Sequence, residues 1–222
     1  MKKLVLSALV AGTFLFSQNV SAQANNTLAS AAKTTKEVKT AAAASYKIDP
    51  AQSNMAWNGK KVTGEHNGTV KISQGEILVN KNQVIGGNVL VDMNSIVNLD
   101  LTDAEYNKKL IGHLKSDDFF STEKHPNATF KINSVTPIKG AKAGAANYNV
   151  NGNLTIKGIT KPVTFPAVVN VQSNTITAKS DAITLDHTKW DIRYGSKSFF
   201  ANIGDKAIHD DFTVQFNLVA KQ

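Results

Sequence analysis

Residues 112–130 read Gly-His-Leu-Lys-Ser-Asp-Asp-Phe-Phe-Ser-Thr-Glu-Lys-His-Pro-Asn-Ala-Thr-Phe. Just before them, Thr102 and Glu105 have the spacing of a capping box, which predicts a short helix over about residues 103–115. The two aspartates that follow favour a turn. His125-Pro126 is extended, because proline disfavours the helical region for the residue before it. Apolar and polar residues then alternate, as on a half-buried strand. This stretch therefore contains a helix end, a turn and the start of a strand.

The predicted helix has apolar residues on one face, namely Tyr106, Leu110 and Leu114. Phe119-Phe120, in the following turn, is too apolar to remain in water. We therefore expect these two side chains, with Phe130, to fasten the helix over a hydrophobic interior and to line one side of it.

The rest of the chain from Tyr46 onward reads as short strands between turn residues. Residues 148–156 alternate most clearly, and residues 163–171 repeat the pattern after a tight turn at Lys157-Gly158. Asn67-Gly68 is a strong signal for a two-residue hairpin. About nine such segments are present, which predicts an all-β antiparallel fold, either a sandwich or a closed barrel. The alternation alone does not separate these two.

Three segments together resemble the YceI family of periplasmic lipid-binding proteins: residues 112–130, 152–163 and 204–208. The similarity extends over residues 46–220. It implies an antiparallel, lipocalin-like β-barrel of about eight strands with one short helix near 103–115, in a domain covering residues 46–222. A barrel of this size encloses room for one small ligand.

The amino terminus has the pattern of a secretory signal peptide over residues 1–22. Lys2 and Lys3 precede an apolar run from Leu4 to Phe16, and Val20-Ser21-Ala22 supplies small residues for cleavage. We expect a flexible leader over residues 23–45, because this segment has no apolar periodicity. The chain has no cysteine, hence no lipid attachment site of the lipoprotein type and no disulfide. These features predict a periplasmic or secreted protein.

The charge of the chain argues against a nucleic-acid partner. Removing residues 1–22 takes away two lysines and no acidic residue, which lowers the net charge from +8 to +6. The lysines are scattered and Arg193 is the only arginine, whereas nucleic-acid binders concentrate basic residues. The net positive charge instead favours transient contact with an anionic membrane surface. The oligomeric state stays open, a homodimer included.

One cluster of polar residues invites comparison with an active site, and it consists of His113, Asp117, Asp118, Glu123 and His125. The histidines lie twelve residues apart across a predicted turn, without the paired spacing of a helical zinc site. The aspartates suit turns, and His113 suits a helix end. We therefore expect no catalytic residue, no metal and no cofactor. An enzyme of lipid or isoprenoid metabolism that uses this segment is the alternative.

Arg193 lies between aromatic residues, in Trp190-Asp191-Ile192-Arg193-Tyr194. A guanidinium group suits a carboxylate or a phosphate, so contact with a lipid headgroup at the mouth of the barrel is one interpretation. A surface ion pair with Asp191 or Asp186 is the favoured alternative.

The apolar faces of the predicted strands supply the candidate ligand-binding residues, which are Val89, Val91, Met93, Phe119, Phe120, Phe130, Ile132, Leu154, Phe165, Ala167 and Phe216. Small residues on the same faces, Gly152 and Ala167 among them, leave room for a long, thin guest. The resemblance implies a long-chain isoprenoid or fatty lipid, held by a carrier or a store. A barrel filled by its own side chains, acting as an interaction module, is the other possibility.

Overall fold

The computed structural model describes residues 43–222, so the predicted signal peptide and leader up to residue 42 lie outside the described residues. The described chain forms ten β-strands and one α-helix. The strands are β1 (Ala44–Ile48), β2 (Asn54–Lys61), β3 (Gly64–Asn80), β4 (Gln83–Asn98), β5 (Asn127–Pro137), β6 (Tyr148–Ile156), β7 (Ile159–Val171), β8 (Thr175–Lys179), β9 (Ile183–Asp186) and β10 (Ile208–Lys221). The helix, α1, is Ala104–Lys115 and lies between β4 and β5. The first strand thus begins two residues before the predicted start of the domain.

The sheet closes into an antiparallel ring of eight strands, as predicted. From β2 to β8, each strand pairs with its neighbour in chain order. β10 then closes the ring by pairing with both β2 and β8. β1 and β2 follow each other end to end along β3, and β8 and β9 do the same along β10. Because the ring is closed, its strands have no free edge, and this protects an all-β protein from edge-to-edge association.

The two ends of the barrel carry different connections. The helix end is formed by residues 62–63, by α1 with its flanking loops, by the turn at residues 157–158 and by residues 187–207. The opposite end is formed by residues 81–82, 138–147 and 172–174. The long connections therefore gather at the helix end, which decides where the interior is covered.

Two turns test the turn predictions, and only one is confirmed. Lys157 and Gly158 form the β6–β7 turn with φ of 49° and 74°, as predicted. Asn67-Gly68 is not a turn, since both residues lie within β3. A Cβ added at Gly68 would come within 1.8 Å of the Val97 carbonyl oxygen. Glycine stands at this position because the neighbouring backbone of β4 approaches too closely for any side chain.

The predicted helix is present, but two of its details were wrong. The capping side chain belongs to Asp103 rather than Thr102, and it accepts hydrogen bonds from the amides of Glu105 and Tyr106. The face towards the barrel carries Ile111 and Leu114, whereas Tyr106 is 64% exposed. The spacing of apolar residues along the helix did not show which side faces the barrel. That side depends on the surface against which the helix packs.

Candidate functional site

The interior of the ring is not filled and holds a cavity of about 250 Å³. This volume lies just below the range of about 300–1,000 Å³ for small-molecule pockets, which favours one thin chain over a bulky guest. All eleven side chains predicted to face the ligand line this cavity, and every strand of the ring contributes to the lining. Apolar residues make up nearly all of it.

Three aromatic rings form the middle of the wall. The Phe165 ring lies 5.4 Å from that of Phe130 and 5.8 Å from that of Phe216, measured between centroids. A Cβ added at Gly152 would lie 2.4 Å from the edge of the Phe130 ring. The expectation that Gly152 leaves room for a guest is therefore wrong, because Phe130 fills the space above it.

Side chains from the α1 segment cover the cavity at the helix end. Leu114, Phe119 and Phe120 all line it. The Phe120 amide donates to the Leu114 carbonyl oxygen at 3.1 Å, which folds the turn back beneath the helix. The ring of Phe119 packs against His113 and Tyr194, with centroid distances of 4.8 Å and 5.5 Å. The helix and its turn thus form a packed cover, as the sequence predicted for Phe119 and Phe120.

The cavity reaches the surface between β2 and β10. Of the described residues that line it, Lys60, His209 and Asp211 are the exposed ones. Lys61 pairs with Ile208 and Gly59 with Phe212, so three residues of β10 stand opposite Lys60 alone. This bulge interrupts the hydrogen-bond ladder between the two strands, beside the exposed residues of the lining. We call this gap, bordered by Lys60, His209 and Asp211, the portal.

A buried histidine stands behind the portal. His187 lines the cavity and is 5% exposed. Its Nδ1 lies 2.6 Å from the Ile192 carbonyl oxygen and its Nε2 lies 3.1 Å from the His209 carbonyl oxygen. These two contacts connect β10 to the segment that contains the short 3₁₀ helix His187–Trp190.

Asp210 lies in the bulge, and its carboxylate accepts a hydrogen bond from the Ser198 hydroxyl. Burial alone would raise its pKa, but the hydroxyls of Ser196 and Ser198 and the charges of His187 and His209 lower it below the ordinary value. Ser196 is fully buried and its backbone bridges to Ile208. The hydrogen bonds next to the portal therefore favour the ionised form of the Asp210 carboxylate.

Arg193 does not line the cavity, so the structure does not support its predicted place at a headgroup site. Its Nε donates to the Asp191 carboxylate at 2.6 Å, and its guanidinium lies 4.8 Å from the centroid of the Phe199 ring. The alternative of a surface ion pair with Asp191 describes the observed contact.

The histidines and acidic residues of the His113–His125 segment do not line the cavity either. His113 Nε2 lies 3.1 Å from the Asp118 carboxylate, and neither His113 nor His125 is part of the lining. The Lys124 ammonium and the Ser121 hydroxyl hold the pKa of Asp117 below its ordinary value. Within residues 43–222, no three histidine, aspartate or glutamate side chains are grouped so that they could hold a metal ion.

The sequence-based predictions missed the portal residues Lys60, His209 and Asp211. No local pattern marks these positions, because the bulge exists only in the pairing of β2 with β10, whose partners are about 150 residues apart along the chain.

Comparison with known protein families gives a match that extends over most of the chain. The family model described as YceI-like domain matches residues 46–220. A UPF0312 protein of Yersinia enterocolitica is 39% identical over 87 residues, which are 39% of this chain and 38% of the relative. A UPF0312 protein of Pseudomonas paraeruginosa is 38% identical over 86 residues, again 38% of its length. The aligned part thus spans well under half of these curated relatives.

Two solved structures share the fold. That of Burkholderia cenocepacia BcnA superimposes with a TM-score of 0.58 and 25% identity, covering 78% of this chain and 99% of the other. The second is a polyisoprenoid-binding domain from Saccharophagus degradans that is implicated in plant cell wall breakdown. It has a TM-score of 0.54 and 16% identity, and the match covers 79% of this chain and 97% of that domain.

Proposed function

Because this chain belongs to the YceI-like domain family, we propose that it is a binding protein that holds a long-chain isoprenoid or another single-tailed lipid inside its barrel. The observation that carries this proposal is the apolar cavity that reaches the surface at one polar portal. The name of the Saccharophagus degradans domain points to the same class of ligand, through a shared fold. A carrier or a store for such a lipid uses the cavity in the same way.

The tail occupies the interior in this proposal, and the headgroup remains at the portal. Burial of each methylene contributes roughly 0.8 kcal/mol before ordering costs. At a net value of about 0.3 kcal/mol per heavy atom, each five-carbon isoprene unit that enters the cavity contributes about 1.5 kcal/mol, which is roughly a tenfold gain in affinity. Tail length therefore decides the affinity more than headgroup chemistry does.

The headgroup meets Lys60, His209 and Asp211 rather than Arg193. These three exposed side chains border the portal and supply both hydrogen-bond donors and acceptors. The signal-peptide pattern of residues 1–22 supports a periplasmic or secreted site of action, where a lipid chain needs a protein to shield it from water.

Mass spectrometry of an organic extract tests the proposal directly. Protein purified without detergent should release a single-tailed lipid in about equimolar amount. The Ala167→Trp variant places an indole in the cavity, where Ala167 is 1% exposed, and should lose this lipid. Asn170→Trp, at an outward position of the same strand, is the matched control and should retain it.

Ala178→Phe provides a second test if Ala167→Trp fails to fold, because Ala178 lines the cavity but is only partly buried. Absence of lipid from the unaltered protein, or lipid retained in a folded blocking variant, would overturn the proposal.

A further inference from the structure

The exposed apolar side chains are concentrated at one end of the barrel. Within residues 43–222, eight large apolar side chains are exposed, and seven of them lie at the helix end: Val62, Val97, Leu99, Tyr106, Tyr194, Phe199 and Phe200. The eighth, Ile85, lies near the opposite end. A soluble protein usually scatters such side chains singly, so their accumulation at one end indicates a contact surface.

Three of these side chains lie on the elements that border the portal. Phe199 and Phe200 are 45% and 49% exposed, and they belong to a loop closed by the hydrogen bond from the Ile208 amide to the Gly195 carbonyl oxygen. Val62 is 45% exposed, and its amide donates to Ala207 at the far end of this loop. We call these three residues the portal patch.

Exposed basic side chains surround the portal patch, next to the exposed carboxylates of Asp205 and Asp211. Lys61, Lys197 and Lys206 are exposed and form no ion pair with any described residue. Lys60 and Arg193 each form one ion pair, with Glu65 and Asp191. Aromatic residues among unpaired lysines are typical of surfaces that lie in the interface of an anionic bilayer. The aromatic side chains enter the acyl boundary, and the lysines remain near the phosphates.

We propose that the portal patch docks the protein onto an anionic lipid bilayer, with the portal facing the membrane. This inference rests on the proposed function, since it gives the tail a path between the bilayer and the cavity that avoids water. Lys60 belongs to both the portal and the basic surroundings of the patch, so docking brings the portal to the phosphate level. The headgroup then stays in a polar environment while the tail passes between β2 and β10.

Vesicle flotation measures this docking. The purified protein should float with vesicles of phosphatidylglycerol and phosphatidylcholine, bind pure phosphatidylcholine more weakly, and lose binding at high salt because the charges are screened. Phe199→Ser with Phe200→Ser should weaken binding by about tenfold or more, because both rings leave the interface. Ile85→Ser is the matched control at the opposite end, where Ile85 is 47% exposed, and should bind like the unaltered protein.

The charges are tested separately. Lys197→Gln and Lys206→Gln should each weaken binding to the anionic vesicles roughly fivefold. Lys139→Gln and Lys142→Gln, in the loop at the opposite end, should have no effect. Equal binding to neutral and anionic vesicles, or equal losses in the control variants, would overturn the inference. Self-association that depends on Phe199, without vesicle binding, would assign the patch to a second copy and overturn it as well.

The two proposals fail separately. If the extract contains lipid but the protein does not float, the docking inference is wrong and the binding function stands. If the protein floats through the portal patch but carries no lipid, the binding function is wrong and the docking surface stands.

Discussion

Asp100 connects the loop before α1 to the barrel by hydrogen bonds. Replacing it with asparagine should show how much these bonds contribute to the free energy of unfolding. Its carboxylate contacts His66 Nδ1 at 2.7 Å and accepts from the Asn67 amide at 2.8 Å, both on β3. Asn98 donates to the same carboxylate, and its own side-chain oxygen accepts from the Leu101 amide at 2.9 Å. The network therefore fixes the loop that leads into the helix covering the cavity.

The magnitude follows from the pKa of Asp100. Burial raises this pKa, but the hydrogen bonds from Asn67, His66 and Asn98 outweigh it and lower the value from 3.8 to about 2. A pKa lowered in the folded state stabilises the protein above the unfolded value of 3.8, and the contribution is lost as the pH falls through about 2. Because Asp100 is exposed, solvent screening reduces the contribution of this pKa difference to about 1 kcal/mol at neutral pH.

Urea unfolding of the unaltered protein and of Asp100→Asn measures this contribution. The variant should be less stable by about 1 kcal/mol at pH 7, and by only about half as much at pH 3, which lies between the unfolded and the folded pKa of this carboxyl. Asp181→Asn, at an exposed position between β8 and β9, serves as the control for loss of one negative charge. An Asp100→Asn effect of equal size at both pH values would refute the electrostatic reasoning.

Two further predictions concern the wall and the ligand. Gly68→Ala should destabilise the protein by about 2 kcal/mol or more, because its Cβ would meet the Val97 carbonyl oxygen at 1.8 Å. Gly59→Ala, whose Cβ meets nothing within 4 Å, should change the urea midpoint little, and equal effects of the two would contradict the close approach. In a fluorescence titration, each added isoprene unit should tighten binding by roughly tenfold until the cavity of about 250 Å³ is full, and then no further. A uniform gain in affinity beyond that length would contradict a cavity of limited size.

Much of the barrel was predictable because its signals are local. The alternation along β6 and β7 identifies which side chains share a face, and a slip of one residue would turn every apolar side chain outward. All eleven predicted ligand-facing residues accordingly line the cavity. The turn at Lys157-Gly158 was equally local, since both residues adopt positive φ there.

The errors concern features that depend on distant parts of the chain. Asn67-Gly68 has the composition of a hairpin turn, yet Gly68 is required by the approach of β4. Gly152 seemed to leave space, but the ring of Phe130 on the neighbouring strand fills it. In each case the residue type could be read from the sequence, but the neighbouring group that explains it could not.

The sequence by itself determined the class of the fold, the inward face of each strand and the apolar character of the interior. These properties follow from hydrophobic burial and from backbone preferences that act within a few residues. Only the tertiary structure decided where the cavity opens. The portal exists because three residues of β10 stand opposite Lys60 of β2, and pairing between strands so distant in sequence is set by closure of the whole barrel.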